Sequence, residues 1–76
     1  MNQVVVTRTK EIGALLREAR KKQAGMTQAE FATLANVGNR FVVDAENGKE
    51  TIQAQKLLEL LALAGLEVVI RRKGGA

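Results

Sequence analysis

Asn39 and Arg40 stand side by side, Val43 and Asp44 follow about one helical turn later, and Lys49 lies just beyond. Upstream, Gln28 follows Thr27 directly. Paired donors and acceptors on such side chains match the edges of nucleobases. Asn pairs bidentately with adenine, Arg with guanine, a carboxylate accepts from the cytosine amino group, and an apolar side chain touches the thymine methyl. Glutamine amides and lysine ammonium groups suit phosphate oxygens, which position a protein without carrying sequence information. Bond-making chemistry has little to work with here. The chain holds no His, Cys, Tyr or Trp, which removes the commonest general base and metal ligand as well as the thiolate nucleophile. No Gly-rich phosphate loop follows a strand, and Glu11, Glu18 and Glu30 read as cap and surface charges. We therefore expect no enzyme, no catalytic residue, no cofactor and no metal.

The elements that must carry these residues lie within positions 26–48. Thr27 followed three residues later by Glu30 is a capping box, each side chain satisfying an otherwise orphan amide of a helix's first turn. Phe31, Leu34 and Ala35 fall at i, i+3 and i+4 and predict one inward apolar face. Asn36 tolerates left-handed backbone and is expected to end this helix. A second helix is expected from about 38 to 46, burying Val42 and Ala45 and stopped by Asn47-Gly48. Two short helices joined by a turn of this length make a helix-turn-helix, whose second helix can enter the DNA major groove.

The sequence Thr27-Gln28-Ala29-Glu30-x-Ala32, followed at this distance by Glu46-Asn47-Gly48, resembles the phage-repressor (Cro/C1, Xre) class of helix-turn-helix proteins over residues 10–66. The resemblance implies that Gln28, beside the cap Thr27, holds a phosphate at the start of the second helix. Lys49 falls where the class uses backbone amides and basic side chains on phosphate. Gly38 stands where Ser or Thr commonly contacts DNA; lacking a side chain, it weakens that contact but permits close backbone approach. Base reading falls to Asn39 and Arg40, with Val43 and Asp44 behind them. Asp44 either accepts from cytosine or orients Arg40 at i+4, and its charge also narrows the allowed approach to phosphate. Phe41-Val42-Val43 is more apolar than a reading helix needs: Val42 is expected in the core and Phe41 against a neighbouring helix. Arg20 resembles the Arg that pairs with the Glu of Glu-Asn-Gly, here Glu46, tying the first helix to the third. The linker 23–25 is one residue longer than the class leads us to expect.

The whole chain sets the frame. Its 76 residues make one domain, with 46% hydrophobic and 26% charged residues, a globular composition. Both aromatics are Phe, so the core must be largely aliphatic. The net charge of +4 favours a polyanionic partner. No apolar run approaches the ~20 residues that span a bilayer, and the first residues show no secretory pattern; the chain is expected to be cytoplasmic and not membrane-bound.

Before the motif, Thr7 or Thr9 offers a cap for a first helix with Glu11 in its first turn, burying Ile12, Leu15, Leu16 and Ala19, and Gly25 closes it. After it, Thr51 offers a cap for a helix with Ile52, Leu57, Leu60, Leu61, Leu63 and Ala64 on its apolar face and Gly65 at its end. Apolar residues nearly encircle its last two turns, which reads as a dimer surface. Residues 66–71 (Leu66, Glu67, Val68, Val69, Ile70, Arg71) then change to a strand-like pattern. Such a strand pairs with residues 3–6, with its counterpart in a second subunit, or with both. Arg71-Arg72-Lys73 and Gly-Gly-Ala complete a basic tail serving solubility, phosphate contact or partner docking.

The expected fold is thus all-α, four to five helices of the lambda-repressor-like kind in one domain over residues 1–76. Short terminal β-strands are expected in a dimer, with residues 66–76 as the dimerising strand and basic tail and Leu66, Val68, Val69 and Ile70 at the interface. The expected function is that of a dimeric repressor binding double-stranded operator DNA through the helix at about 38–46. A compact repressor with a β-forming tail also resembles the autoregulating antitoxin of a toxin–antitoxin pair, of the HipB-like type that partners a HipA-like toxin. With no room for a ligand-binding domain, control by a protein partner is favoured over control by a metabolite. The alternative is a degenerate helix-turn-helix that dimerises and docks without reading DNA.

Overall fold

A computed structural model of the chain describes residues 3–74. Its first helix, α1 (Thr9–Ala19), buries Leu16 and Ala19 and half-buries Ile12 and Leu15. Neither threonine caps it. Arg8 holds the cap position, and the Glu11 carboxylate accepts the Thr7 amide at 2.8 Å and the Arg8 amide at 3.1 Å. These two backbone hydrogen bonds, Thr7 first, hold the Glu11 carboxyl below its ordinary pKa. Thr9 is drawn elsewhere: its hydroxyl donates to the Gly48 carbonyl at 2.7 Å.

α1 runs directly into one wider, π-helical turn, Arg20–Ala24, which Gly25 ends at φ 62°. The extra residue anticipated in this linker is therefore taken up inside the helix rather than in a longer loop.

The second helix, α2 (Gln28–Ala35), begins with the full capping box: the Thr27 hydroxyl accepts the Glu30 amide at 3.1 Å, and the Glu30 carboxylate accepts the Thr27 amide at 2.9 Å. Its inward stripe is Phe31, Ala32 and Ala35. Leu34, expected inside, is 54% exposed. Leu34 and Ala32 flank Phe31 on opposite sides of the helix, and the packing against the rest of the fold selects the Ala32 side. Asn36 ends α2 in left-handed backbone at φ 57°.

Gly38 then caps the third helix, α3 (Asn39–Glu46), which buries Val42 and Ala45. The fourth helix, α4 (Ala54–Leu63), starts later than Thr51 would place it, with Gln53 at the cap position. A turn closed by the Ile52 amide on the Lys49 carbonyl at 3.4 Å holds Thr51 outside the helix, while Ile52 packs on the core. The end of α4 matches the role read for Gly65: its φ is 84°, its amide bonds the Ala62 carbonyl at 3.0 Å, and the Leu66 amide bonds the Leu61 carbonyl at 2.9 Å.

The core gathers Leu16, Phe31, Val42, Leu60 and Leu61 with Ala19, Ala32, Ala45 and Ala64, and Phe41 packs against its edge. Phe31, Leu16, Leu60 and Val42 are its largest fully buried side chains. The single buried aromatic is its largest filler, so truncating Phe31 to Ala should cost about 3–5 kcal/mol. The all-α fold expected from the sequence is the one observed.

Among the described residues of the single chain there is no strand, so pairing of the two terminal segments within the chain, one of the expected alternatives, is corrected. Residues 3–6 and 66–71 run unpaired, and within one chain neither end supplies the hydrogen-bonding edge that would turn the other's β-branched pattern into a ladder. Leu66 packs on the core, whereas Val68, Val69 and Ile70 are exposed, Ile70 at 94%. Met1, Asn2, Gly75 and Ala76, the ends of the expected domain and tail, lie outside the described residues. No described helix is long and apolar enough to cross a membrane.

Candidate nucleic-acid interface

The turn 36–38 presents the start of α3 to solvent, and with it Asn39 and Arg40. Gly38 has ordinary backbone (φ −69°), and a Cβ added there would meet nothing within 4 Å. Its small size answers no packing demand within the chain.

Arg40 is held from behind. Its Nε lies 3.1 Å from Asp44 Oδ1 across one turn, with the Arg40 side chain 83% exposed and that of Asp44 only 18%. Lys49 Nζ approaches the other Asp44 oxygen at 3.5 Å. The Arg40 guanidinium stands largely in solvent, and its planar array of donors is of the kind suited to bidentate contacts. Asp44 is thus flanked by two cations of its own chain. Val43 is half-buried beside it.

A second group forms where α1, α2 and α3 meet. Arg20 donates from Nε to Glu46 Oε2 at 2.6 Å and from Nη2 to Glu46 Oε1 at 3.0 Å, and both side chains are buried. Its remaining amino group, Nη1, donates to the Met26 carbonyl at 2.6 Å. Gln28 adds a further bond, its Nε2 donating to Glu46 Oε1 at 3.0 Å. Every buried side-chain nitrogen and oxygen among the described residues has a partner, the condition under which a buried pair is tolerable. Burial pushes the Glu46 carboxyl up, but the hydrogen bonds from Arg20 and Gln28 outweigh it and leave the group below its ordinary value. The bond to Glu46 correspondingly raises the Arg20 pKa.

The two groups meet through α3, Asp44 on its outer side and Glu46 at its inner end. Gln28 sits against Glu46, next to the cap Thr27, and Lys49 against Asp44. Beside them a shallow groove runs along α1 and the π-helical turn, lined by Lys10, Arg17, Lys21 and Lys22, by the acidic Glu18 and Glu46, and by Asn47 after α3.

Two features that hold this arrangement escaped the sequence reading. A Cβ on Gly13 would lie 2.5 Å from the Glu46 carbonyl oxygen and 2.6 Å from that of Ala45, so α1 and α3 touch backbone to side-chain-free backbone there. Gly48, at φ 76°, likewise presses against the backbone of Lys10, and Thr9 bonds its carbonyl. The available signal was Gly13 itself. A glycine inside an amphipathic helix costs about 1 kcal/mol against Ala, and such a residue marks a close approach.

The comparisons with known proteins point one way. The model of a family described as helix-turn-helix matches residues 16–69. An uncharacterized HTH-type transcriptional regulator of Sinorhizobium fredii (strain NBRC 101917 / NGR234), y4mF, is 45% identical over 64 residues, covering 84% of this chain and 83% of that protein. A chain from a structure of a HipA–HipB–O2–O3 complex superposes with a TM-score of 0.78 at 17% identity, covering 95% of this chain and 99% of that one. A structure described as MDT Protein gives the same TM-score, identity and coverage. At that identity the two superpositions establish the fold alone. The matched family is one of regulators rather than enzymes, and its span takes in all of α2, α3 and α4, with the whole Arg20–Glu46–Gln28 group. The chain belongs to the helix-turn-helix family of DNA-binding transcriptional regulators.

Proposed function

We propose that this protein is a sequence-specific, dimeric repressor that reads an operator with the first turn of α3 and acts as the autoregulating antitoxin of a toxin–antitoxin pair. The observation that carries the DNA-reading part is the exposed Arg40 guanidinium, paired across one turn with Asp44 and standing next to the exposed Asn39. In this reading Arg40 and Asn39 contact base edges, guanine and adenine being the matched partners. Val43 lies behind them against a thymine methyl, and Asp44 serves Arg40. Gln28, next to the cap Thr27, and Lys49 hold phosphates on either side, with Gly38 letting the backbone come close.

The packing of Phe41 on the core supports this reading over the degenerate module, because the apolar character of α3 is then absorbed inside the domain. The dimer is supported by the apolar surface left on the other side: Leu34, Leu58 and Leu63 on the helices and Val68, Val69 and Ile70 on the tail are all exposed. Pairing of residues 66–71 between two subunits supplies the hydrogen bonds the single chain lacks. The toxin partner, a HipA-like protein, is supported by the fold shared with a chain of the HipA–HipB–O2–O3 complex.

Fluorescence anisotropy tests the reading. A duplex from upstream of the protein's own gene is compared with a scrambled duplex at low and moderate salt, for the wild type and Arg40→Ala. Binding that survives moderate salt only on the native duplex, and a loss of that preference in the variant, are the expected results. Equal, salt-labile binding to both duplexes would reject sequence-specific repression and leave the protein-interaction module.

A further inference from the structure

The Arg20–Glu46 pair does more than hold three helices together. We infer that Glu46 is a positioning residue for phosphate binding, fixing the Gln28 side chain so that its free amide N–H and carbonyl face the approaching backbone. The inference rests on the proposed role of Gln28 in DNA binding.

A glutamine side chain has three rotatable bonds and, left alone at a helix start, spreads over many rotamers. Ordering it at the moment of binding costs conformational entropy. Here Nε2 is already tethered at 3.0 Å to Glu46 Oε1. That bond uses one of the two amide hydrogens. The other hydrogen and the carbonyl oxygen have no partner among the described residues, and the side chain is half-buried, so the amide is fixed and partly open to solvent.

Arg20 makes this tether compatible with a phosphate. A lone carboxylate behind Gln28 would repel the incoming anion. The guanidinium cancels that charge through two hydrogen bonds to the same carboxylate. With its third group it grips the Met26 carbonyl, one residue before the cap Thr27. One ion pair therefore fixes both the backbone entering α2 and the first side chain of that helix. A neutral acceptor alone would do only the second.

A double-mutant cycle on a scrambled duplex, read by anisotropy and accompanied by thermal melts, tests this. Its variants are Gln28→Ala, the paired apolar replacement Arg20→Met with Glu46→Met, and all three together. The paired replacement removes the tether while leaving no stranded charge, and such exchanges of a buried pair are often neutral for folding. Gln28→Ala and the paired variant should each weaken binding by about tenfold, and the triple variant should be no weaker than either. Wild-type affinity in a folded paired variant, or losses that multiply in the triple, would overturn the inference. So would a Gln28→Ala protein that binds as well as the wild type. Failure of the wild type itself to bind any duplex would instead remove the proposed function, and this inference with it.

Should the paired variant unfold, the side-chain amide of Gln28 in the wild type gives the answer by NMR. Added duplex should move one of its two amide proton resonances and leave the one bonded to Glu46. Movement of neither or of both overturns the proposal.

Discussion

The two sides of this molecule solve the problem of smallness differently. Where α1 meets α3, every contact is closed within the chain: two glycines allow backbone to touch its neighbour, Thr9 bonds the Gly48 carbonyl, and a buried carboxylate meets three donors. On the side of α4 and the tail, the chain leaves apolar residues uncovered, Leu63 on the helix and Val68 to Ile70 beyond it among them. The first side is tightly specified and intolerant. The second is sticky and incomplete. A domain this short has too little interior to finish both, and the side left open is the one suited to a second molecule.

Five changes break or sharpen that contrast. The largest effect belongs to Glu46→Ala, which strands the Arg20 guanidinium in the interior and should lower unfolding free energy by about 3–5 kcal/mol in urea titrations. The same residue gives the fold an acid limb. Because its folded pKa lies below the ordinary 4.5, its stabilisation is fully present above that value and is lost as pH falls through the folded one. Glu46→Gln should flatten this limb without abolishing it, since Glu11 is shifted in the same direction. An unchanged acid slope in Glu46→Gln would show that the pair does not govern acid unfolding.

Gly13→Ala comes next. The new methyl overlaps two main-chain oxygens of α3, and separating the helices should cost about 1–3 kcal/mol. A variant as stable as the wild type would mean that α1 and α3 can slide apart freely, contrary to a tightly specified side. Truncation after Gly65 addresses the other side. It should leave the helical signal in circular dichroism nearly intact while light scattering shows the mass of the proposed dimer falling to that of a monomer. An unchanged mass would remove the tail from the interface. The smallest effect is that of Gly38→Ser, which adds a cap hydroxyl to α3 in open space and should raise stability by a few tenths of a kcal/mol. A loss of stability would contradict the open space found around that residue.

What could be read from the sequence was what neighbouring residues decide among themselves. The capping box at Thr27, the left-handed Asn36, the stop at Asn47-Gly48 and the end of α4 at Gly65 are all settled within a turn or two of chain, and all four stand in the structure. The pairing of Arg20 with Glu46 was reachable only through family resemblance, since 26 residues separate them. Leu34, Thr51 and the two candidate caps Thr7 and Thr9 went the other way because another contact overrode the expected one, for Thr7 its own amide on the Glu11 carboxylate. Phe31 took Ala32 into the core beside it, Ile52 held Thr51 out of α4, and the Gly48 carbonyl claimed the Thr9 hydroxyl. The expected strand at 66–71 shows the same limit in its plainest form: a β pattern states a need for an edge without saying whose.

The wide turn Arg20–Ala24 bears on how chains of this kind are to be lined up with one another. Because the surplus residue is wound into the helix, a relative shorter by one in this stretch carries its gap inside a helix, between the arginine that grips Glu46 and the glycine that ends the turn. An alignment that moves the gap into the following loop still matches Arg20 but shifts the glycine that ends the turn by one place. Removing a single residue from 21–24 should restore ordinary winding there and keep Arg20 in place, so that length at this point is a variable the fold can absorb.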